Sequence, residues 1–453
     1  MKTEQKLKTY LENIKKDNKS GKKINAILEL FPESVLIKQA KEIDAKIAKG
    51  NAGKLAGKII TVKANLNCIG LKTNCASKTL ENYNATYDAT VIKKIKQQDG
   101  LIIGNCNMDE FACGASGETS AFKPTKNPHN QKLIPGGSSS GSSAAVAAGF
   151  CDLSLGSDTG GSLRNPASHC GVIGLKPTYS SVSRYGLLDL SMSLDQIGPV
   201  AKNIKDTGLL LSIIKGKDLR DSISQESPNI DLNNLEKIPK NITIGLLDLS
   251  NLNVDPKIKE LIETKTQETC KRYNWKIKKI KIPHIELAIS TYYPLVYVEF
   301  FSSTRKYDGR RYGLNIDKSA GPEVIRRIMG GYEISKEEHS GRYYHKALKA
   351  KNFFSEEFSK SFKEVDCIIS PTVPKLPHEI GTDISVEEMY GYDVLTAPSN
   401  LAGNCAVSIP AGTIKSRINN KEIKIPTGLQ INCDKFQDEK LLQIARAFEK
   451  LEE

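Results

Sequence analysis

Residues 135–177 read PGGSSSGSSAAVAAGFCDLSLGSDTGGSLRNPASHCGVIGLKP, and no other stretch of this 453-residue chain narrows the fold as much. A Gly/Ser loop opens onto small residues, Ala144–Gly149, which predict a helix able to pack closely. An apolar strand follows at Leu153–Gly156, and then a second Gly/Ser loop, GSDTGGS. Two such loops in one short segment can bring several hydroxyls and free backbone N–H groups together. That set suits a serine nucleophile beside an oxyanion hole. A single loop of this composition is also compatible with a plain turn.

Around this segment, apolar residues recur at helical spacing over 3–18, 33–48, 87–98, 203–215, 254–273, 340–360 and 437–451. Between them lie short apolar runs: Lys58–Val62, Leu101–Gly104, Leu153–Gly156, Ile242–Leu247, Trp275–Ile280, Cys367–Ser370, Ala406–Pro410 and Gly428–Ile431. Strands alternating with helices predict an α/β fold, a large mixed sheet covered by helices on both faces. We read residues 1–453 as one domain, opened by a short helical segment at 1–50. The polar stretch 216–240, with Pro228 and Pro239, begins a candidate peripheral excursion that extends to 290.

The start, MKTEQKLKTYLENIKKDNKS, has no apolar core and carries Glu4, Glu12 and Asp17, so it does not read as a targeting peptide. No run of 18 apolar residues predicts a membrane span, and we expect no membrane partner. The ten cysteines include no CxxC pair, which argues against zinc ribbons and thioredoxin-like motifs. Reduced thiols in a cytoplasm are the expectation. A net charge of +13 suggests a nearby polyanion, yet runs such as Lys257–Lys281 interleave bases with acids. Such runs read as a solvated surface first and an RNA contact second. His129, His169, His284, His339, His345 and His378 are too dispersed for a metal site.

Two rival motifs fail. GxxxxGK[ST] is absent, and GKLAGK at 53–58 is one residue short and is followed by Ile59. The DTG at 158–160 would need a second acidic loop facing it, as in an aspartic protease dyad. A second DTG occurs at 206–208, but inside the helical pattern NIKDTGLLLSIIK.

The paired loops, with TVKANLN at 61–67 upstream, resemble the amidase signature family and its Ser–Ser–Lys triad. Further stretches, NCASKTLENY, YDATVIKKI, GNCNMDEFACGASGETSAF, GLKPTYSSVSRYGLLDLSMSLDQIGPV, RRIMGGY and YDVLTAPSNLAG, are similar to the A subunits of aspartyl/glutamyl-tRNA amidotransferases within that family. The resemblance runs from about residue 55 to the C-terminus and is weakest around 216–290. It implies Ser162 as nucleophile, Ser138 as bridging serine after a cis Gly137–Ser138 bond, and Lys63 as base. The chemistry needs these types: a serine hydroxyl is a poor nucleophile until a base takes its proton, and a buried lysine can be neutral enough to do so. Backbone N–H groups of Thr159, Gly160, Gly161 and Ser162 would form the oxyanion hole. Arg327 would take a glutamine carboxylate and Asp393 its ammonium, with Tyr292 and Thr159 adding contacts. Arg326 is the alternative to Arg327. Two departures from the family pattern, Ser140 for a glycine and Ala64 for an aspartate, leave the triad intact and bear on loop conformation.

The resemblance therefore implies a glutaminase subunit that supplies ammonia for amidating Glu-tRNA(Gln), Asp-tRNA(Asn) or both. Its partners would be a B subunit, holding ATP and Mg²⁺, and a small C subunit. No cofactor is expected in this chain. A free-standing amidase acting on another amide, and a non-catalytic basic RNA-binding or scaffold protein, are the alternatives.

Overall fold

The computed structural model describes residues 2–336, 340–418 and 421–451. Its strands are β1 (Ile27–Leu30), β2 (Ile59–Lys63), β3 (Leu101–Cys106), β4 (Leu153–Asp158), β5 (Ile173–Lys176), β6 (Gln196–Ala201), β7 (Thr243–Leu247), β8 (Lys276–Ile280), β9 (Cys367–Pro371), β10 (Cys405–Ile418) and β11 (Lys421–Cys433). All belong to one mixed sheet, ordered β1-β3-β2-β4-β6-β5-β10-β11-β9-β7-β8. β2 runs parallel to β3 and β4, and β7 runs parallel to β8 and β9. Between these parallel groups stand antiparallel strands, with β10 on β5 and β11 on β9. The excursion expected over 216–290 thus supplies β7 and β8, at the sheet's edge.

Each strand alternates its side chains between faces. Ile60, Val62, Leu155, Val407 and Ile431 share one apolar cluster, packed under α3 (Thr90–Gln97), α6 (Ile204–Ile214), α7 (Pro256–Tyr273) and α14 (Asp438–Glu449). Ile59, Leu101 and Ile103 join another, with α1 (Thr3–Lys19), α2 (Glu33–Ala48), α4 (Ser140–Ala147) and α5 (Arg164–Cys170). A third cluster collects α8 (Ala288–Thr304), α9 (Ile316–Ser319), α10 (Pro322–Ile334), α11 (Arg342–Ser361) and α13 (Ala397–Ala402) over Leu247 and Ile368. The short α12 (Val386–Gly391) leads into α13 and begins with a capping box between Ser385 and Glu388. α7 shows how local chemistry sets helix ends. Asp255 caps it, Pro256 stands in its first turn, and Asn274 closes it in the left-handed region at φ 54°.

The small-residue helix begins earlier than expected, at Ser140 rather than Ala144. Ser140 Oγ lies 3.1 Å from Thr125 Oγ1, and the Ser142 hydroxyl donates to the Leu155 carbonyl at 3.0 Å. These anchors recruit the serines into the first turn. Among the described residues, no helix is long and apolar enough to cross a membrane.

Candidate active site

Alternation along β2 puts Thr61 and Lys63 on the Ile59 face, where α4 and its preceding loop cover the strand. Lys63 closes β2, and Asp158 closes its parallel neighbour β4. Residues just beyond the carboxyl ends of parallel strands line a crevice, a usual place for a ligand. Lys63 is fully buried there, and its ammonium donates to Ser138 Oγ and Ser157 Oγ, each at 2.8 Å. Burial lowers the lysine to about 7, against the opposing pull of Asp109, Asp195 and Asp158. A neutral amine is therefore accessible near neutral pH.

Ser138 follows a cis peptide bond from Gly137. A side chain on Gly137 would overlap the Asp109 carboxylate, so the turn needs glycine there. Asp109 in turn accepts from the N–H groups of Gly117 at 3.0 Å and Thr119 at 3.2 Å, and from the Thr119 hydroxyl at 2.9 Å. This carboxylate is the floor of the Ser138 turn.

Ser162 sits across the crevice, and the Ser139 N–H donates to its carbonyl at 3.1 Å. It is 8% exposed whereas Ser138 and Lys63 are 0% exposed, so a substrate meets the outer serine first and the base stays dry. The loop carrying it is braced from below. Arg164, fully buried, grips Asp158 through Nε at 3.0 Å and Nη2 at 2.9 Å. It also donates to Thr396 O, Ser399 Oγ, Gln430 Oε1 and Asn400 Oδ1, so its whole fork is used. The Gly160 carbonyl accepts from the Thr396 hydroxyl at 2.6 Å, and the Gly161 carbonyl from Asn165 N–H at 2.8 Å. With both carbonyls tied back, the N–H groups of Gly160, Gly161 and Ser162 donate to no group among the described residues. Such free donors are what an oxyanion hole requires.

The remaining predicted residues gather beside this loop. A methyl on Gly161 would lie 3.1 Å from Asp393 Oδ1, an oxygen that is buried and has no hydrogen-bond partner among the described residues. Burial, reinforced by Asp158, pushes Asp393 up to about 8. Tyr292 packs its ring on Gly160, where a side chain would collide with it. Arg327 is buried, with Nε on Glu323 Oε1 at 2.9 Å and its guanidinium 5.5 Å and 5.8 Å from the ring centres of Tyr293 and Tyr390. Its Nη groups are left without hydrogen bonds among the described residues. The side chain of Arg326 points out, 43% exposed, so Arg327 is the one that faces inward.

The Thr159 hydroxyl donates to Asp195 Oδ1 at 2.6 Å, which leaves the hydroxyl's lone pairs and the Thr159 backbone N–H open for a contact. Asp109, Ser157, Arg164 and Asp195 are not among the predicted site residues, although NMDEF, SLDQIGP and GSDTGGSLRNP all carry them. Ser140 and Ala64, the two departures, are both buried and leave the Lys63–Ser138 contact in place. Of the histidines, His169 lies 3.4 Å from the Lys375 carbonyl, His378 bonds Glu118 and Tyr392, and His339 lies outside the described residues.

The Amidase family profile matches residues 6–442. The chain belongs to that family. Its full-length relatives include proteins named as the A subunits of glutamyl-tRNA(Gln) amidotransferases. One from Methanocaldococcus jannaschii is 52% identical, over 98% of this chain and 99% of its own length. Another, from Methanothermobacter thermautotrophicus, is 48% identical over 97% and 94%. Among solved structures, the glutamyl-tRNA(Gln) amidotransferase A subunit of Thermotoga maritima superposes with a TM-score of 0.82 at 36% identity, covering 99% of this chain and 91% of that one. The peptide amidase of Stenotrophomonas maltophilia, at 24% identity and TM-score 0.85 over 100% and 94% of the two chains, shares the fold. The amidase fold thus accounts for the sheet and for the two loops at its strand ends.

Proposed function

We propose that this chain is the glutamine-hydrolysing A subunit of a tRNA-dependent amidotransferase. The observation that carries this reading is an open guanidinium edge, the Nη groups of Arg327, together with an open carboxyl oxygen, Asp393 Oδ1, which a bound ammonium would draw into its ionised form, beside a lysine–serine–serine constellation. A guanidinium fork fits an α-carboxylate and a carboxylate fits an α-ammonium. An amide without amino-acid charges would leave both unpaired, which counts against a free-standing amidase for other amides. The names of the relatives support the same reading.

In this reading Ser162 Oγ attacks the side-chain carbonyl carbon of glutamine. Its proton passes to Ser138 as Ser138 passes its own to the neutral amine of Lys63. The N–H groups of Thr159–Ser162 hold the oxyanion. Lys63 then returns the proton through Ser138 to the departing nitrogen, the C–N bond breaks, and ammonia leaves a glutamyl ester on Ser162. Water attacking that ester by the reverse relay frees glutamate. The ammonia would pass to a B subunit, which would hold the ATP and Mg²⁺ needed to activate Glu-tRNA(Gln) or Asp-tRNA(Asn), with a C subunit wrapping the interface, in the cytoplasm. Glutamate release from glutamine by the co-expressed complex tests this. Ser162→Ala should reduce it by at least a thousandfold while the urea midpoint moves little, since one hydroxyl leaves almost no cavity. Near-normal hydrolysis by that variant would remove Ser162 from the role.

A further inference from the structure

Arg327 keeps an open edge because its counter-ion is already engaged elsewhere. Glu323, one turn earlier on α10, is buried and takes Arg327 Nε on Oε1 at 2.9 Å. The strong form of an arginine–carboxylate pair is a two-bond fork, which here would also bring an Nη group onto Oε2. That oxygen is held instead by Nη1 of Arg326. Oε1 also accepts the Tyr390 hydroxyl at 3.1 Å, so the carboxylate is fixed from a third side. Arg327 is left with a single bond to Glu323, and its Nη edge stays free.

Tyr390 is itself firmly placed, although no residue of α12, which carries it, is buried. Its ring lies on the Tyr293 ring of α8, centroids 3.6 Å apart and 17° from parallel, and the Arg327 guanidinium rests against both rings. Because the Tyr390 proton goes to Glu323, Tyr297 is the donor in the 2.6 Å contact between the Tyr297 and Tyr390 hydroxyls. Three elements, α8, α10 and α12, thus meet at one phenol. The Tyr390 carbonyl accepts from the Asp393 N–H at 3.1 Å, so the same residue also helps place the carboxyl proposed for the ammonium. A phenylalanine here would keep the stack and the backbone bond and lose only the hold on Glu323.

We propose that Tyr390 and Arg326 are positioning residues for glutamine: they hold Glu323 off a second bond and so keep the Nη edge of Arg327 for the substrate's α-carboxylate. The proposal rests on the glutaminase reading above. Its test is ammonia release by the co-expressed complex from glutamine and from 4-aminobutanamide, which keeps the ammonium and the side-chain amide but lacks the α-carboxylate. In Tyr390→Phe the released carboxylate can turn and fork with Arg327. The KM for glutamine should rise about tenfold with kcat within about twofold, the scale of one hydrogen bond to a charged group. The kcat/KM for 4-aminobutanamide should not change. Arg326→Gln, at a side chain that is 43% exposed, frees Oε2. It should raise the KM for glutamine about threefold, as befits a partly solvated pair. In a Glu323→Gln background no carboxylate is left to close the fork, and Tyr390→Phe should raise the KM by less than about twofold. An unchanged KM in Tyr390→Phe would overturn the proposal. So would an equal loss on both amides, the mark of a pocket that has merely loosened, or an undiminished effect of Tyr390→Phe in the Glu323→Gln background. A wild type active on glutamine beside an unaffected Tyr390→Phe fells this proposal alone. A wild type inert toward glutamine fells both the proposal and the glutaminase reading.

Discussion

If Lys63 is the base of the proposed relay, its burial gives activity and stability pH dependences that can be measured separately. Burial depresses its pKa from 10.5 to about 7, so the neutral amine that accepts a proton is favoured above about 7. The kcat/KM for glutamine should therefore rise with pH through about 7, read as an acid limb in initial rates. Stability follows the same sign. Between pH 7 and 10.5 the unfolded chain binds this proton and the folded chain does not, so the wild type gains stability as pH rises. Lys63→Met lacks that dependence. Relative to the wild type it should gain about 2–3 kcal/mol in urea denaturation on going from about pH 9 down to about pH 7, and a constant difference would place the lysine in water. Asp393→Asn removes the carboxyl proposed to ionise against the glutamine ammonium. It should raise the KM for glutamine at least tenfold and leave amidation from added ammonium chloride by the complex nearly unchanged; an equal loss of both would make Asp393 structural. At this scale the residues that the structure gathers, Lys63 on Ser138 and Arg327 and Asp393 beside the Ser162 loop, were legible because the motif names them. Asp109, Ser157 and Asp195 were not, because their roles arise only where separate strand ends meet: Asp109 matters because Gly137 rests on it, and Asp195 because Thr159 reaches across to it.

Among the elements, helices with one apolar stripe, such as α2 and α14, were readable from spacing alone. α8 was not, since AISTYYPLVYVEFFSST is apolar on most sides and contains Pro294. β6 was hidden by Gly198 and Pro199, residues that argue against a strand until a sheet is there to hold them. α10 was visible only through the motif RRIMGGY, and the structure explains its glycines. A methyl on Gly331 would overlap the Tyr297 carbonyl of α8, whereas one on Gly330 would meet the Tyr297 ring. The two helices carry Arg327 and Tyr292, so their approach sets the pocket proposed for glutamine. Gly331→Ala should cost about 1–3 kcal/mol through overpacking and raise the KM for glutamine severalfold. Gly330→Ala should do less on both counts, because a ring can swing and a backbone cannot. Equal effects in thermal melts and kinetics would mean that α8 and α10 slide freely.

For the whole molecule, the proposed relay is half assembled. Lys63 and Ser138 are hydrogen-bonded, but among the described residues no hydrogen bond joins Ser138 to Ser162. A relay misplaced by about 1 Å can lose roughly a hundredfold in rate. The purified chain alone should therefore hydrolyse glutamine at about a hundredth of the rate of the assembled complex, and equal rates would locate activation elsewhere. The overall charge of +13 does not by itself point to an RNA contact, since acids are mixed through most basic runs. Sheet order carries a different message. β10 and β11 stand between β5 and β9, so the last two strands of the chain join the sheet built by the first six strands to the one built by β7, β8 and β9. A ribosome working from the N-terminus exposes two sheet margins long before it makes the hairpin that unites them. Arg164 waits just as long for Thr396, Ser399, Asn400 and Gln430. The growing chain thus keeps two open sheet margins and an unbraced Ser162 loop until Cys433 has been added.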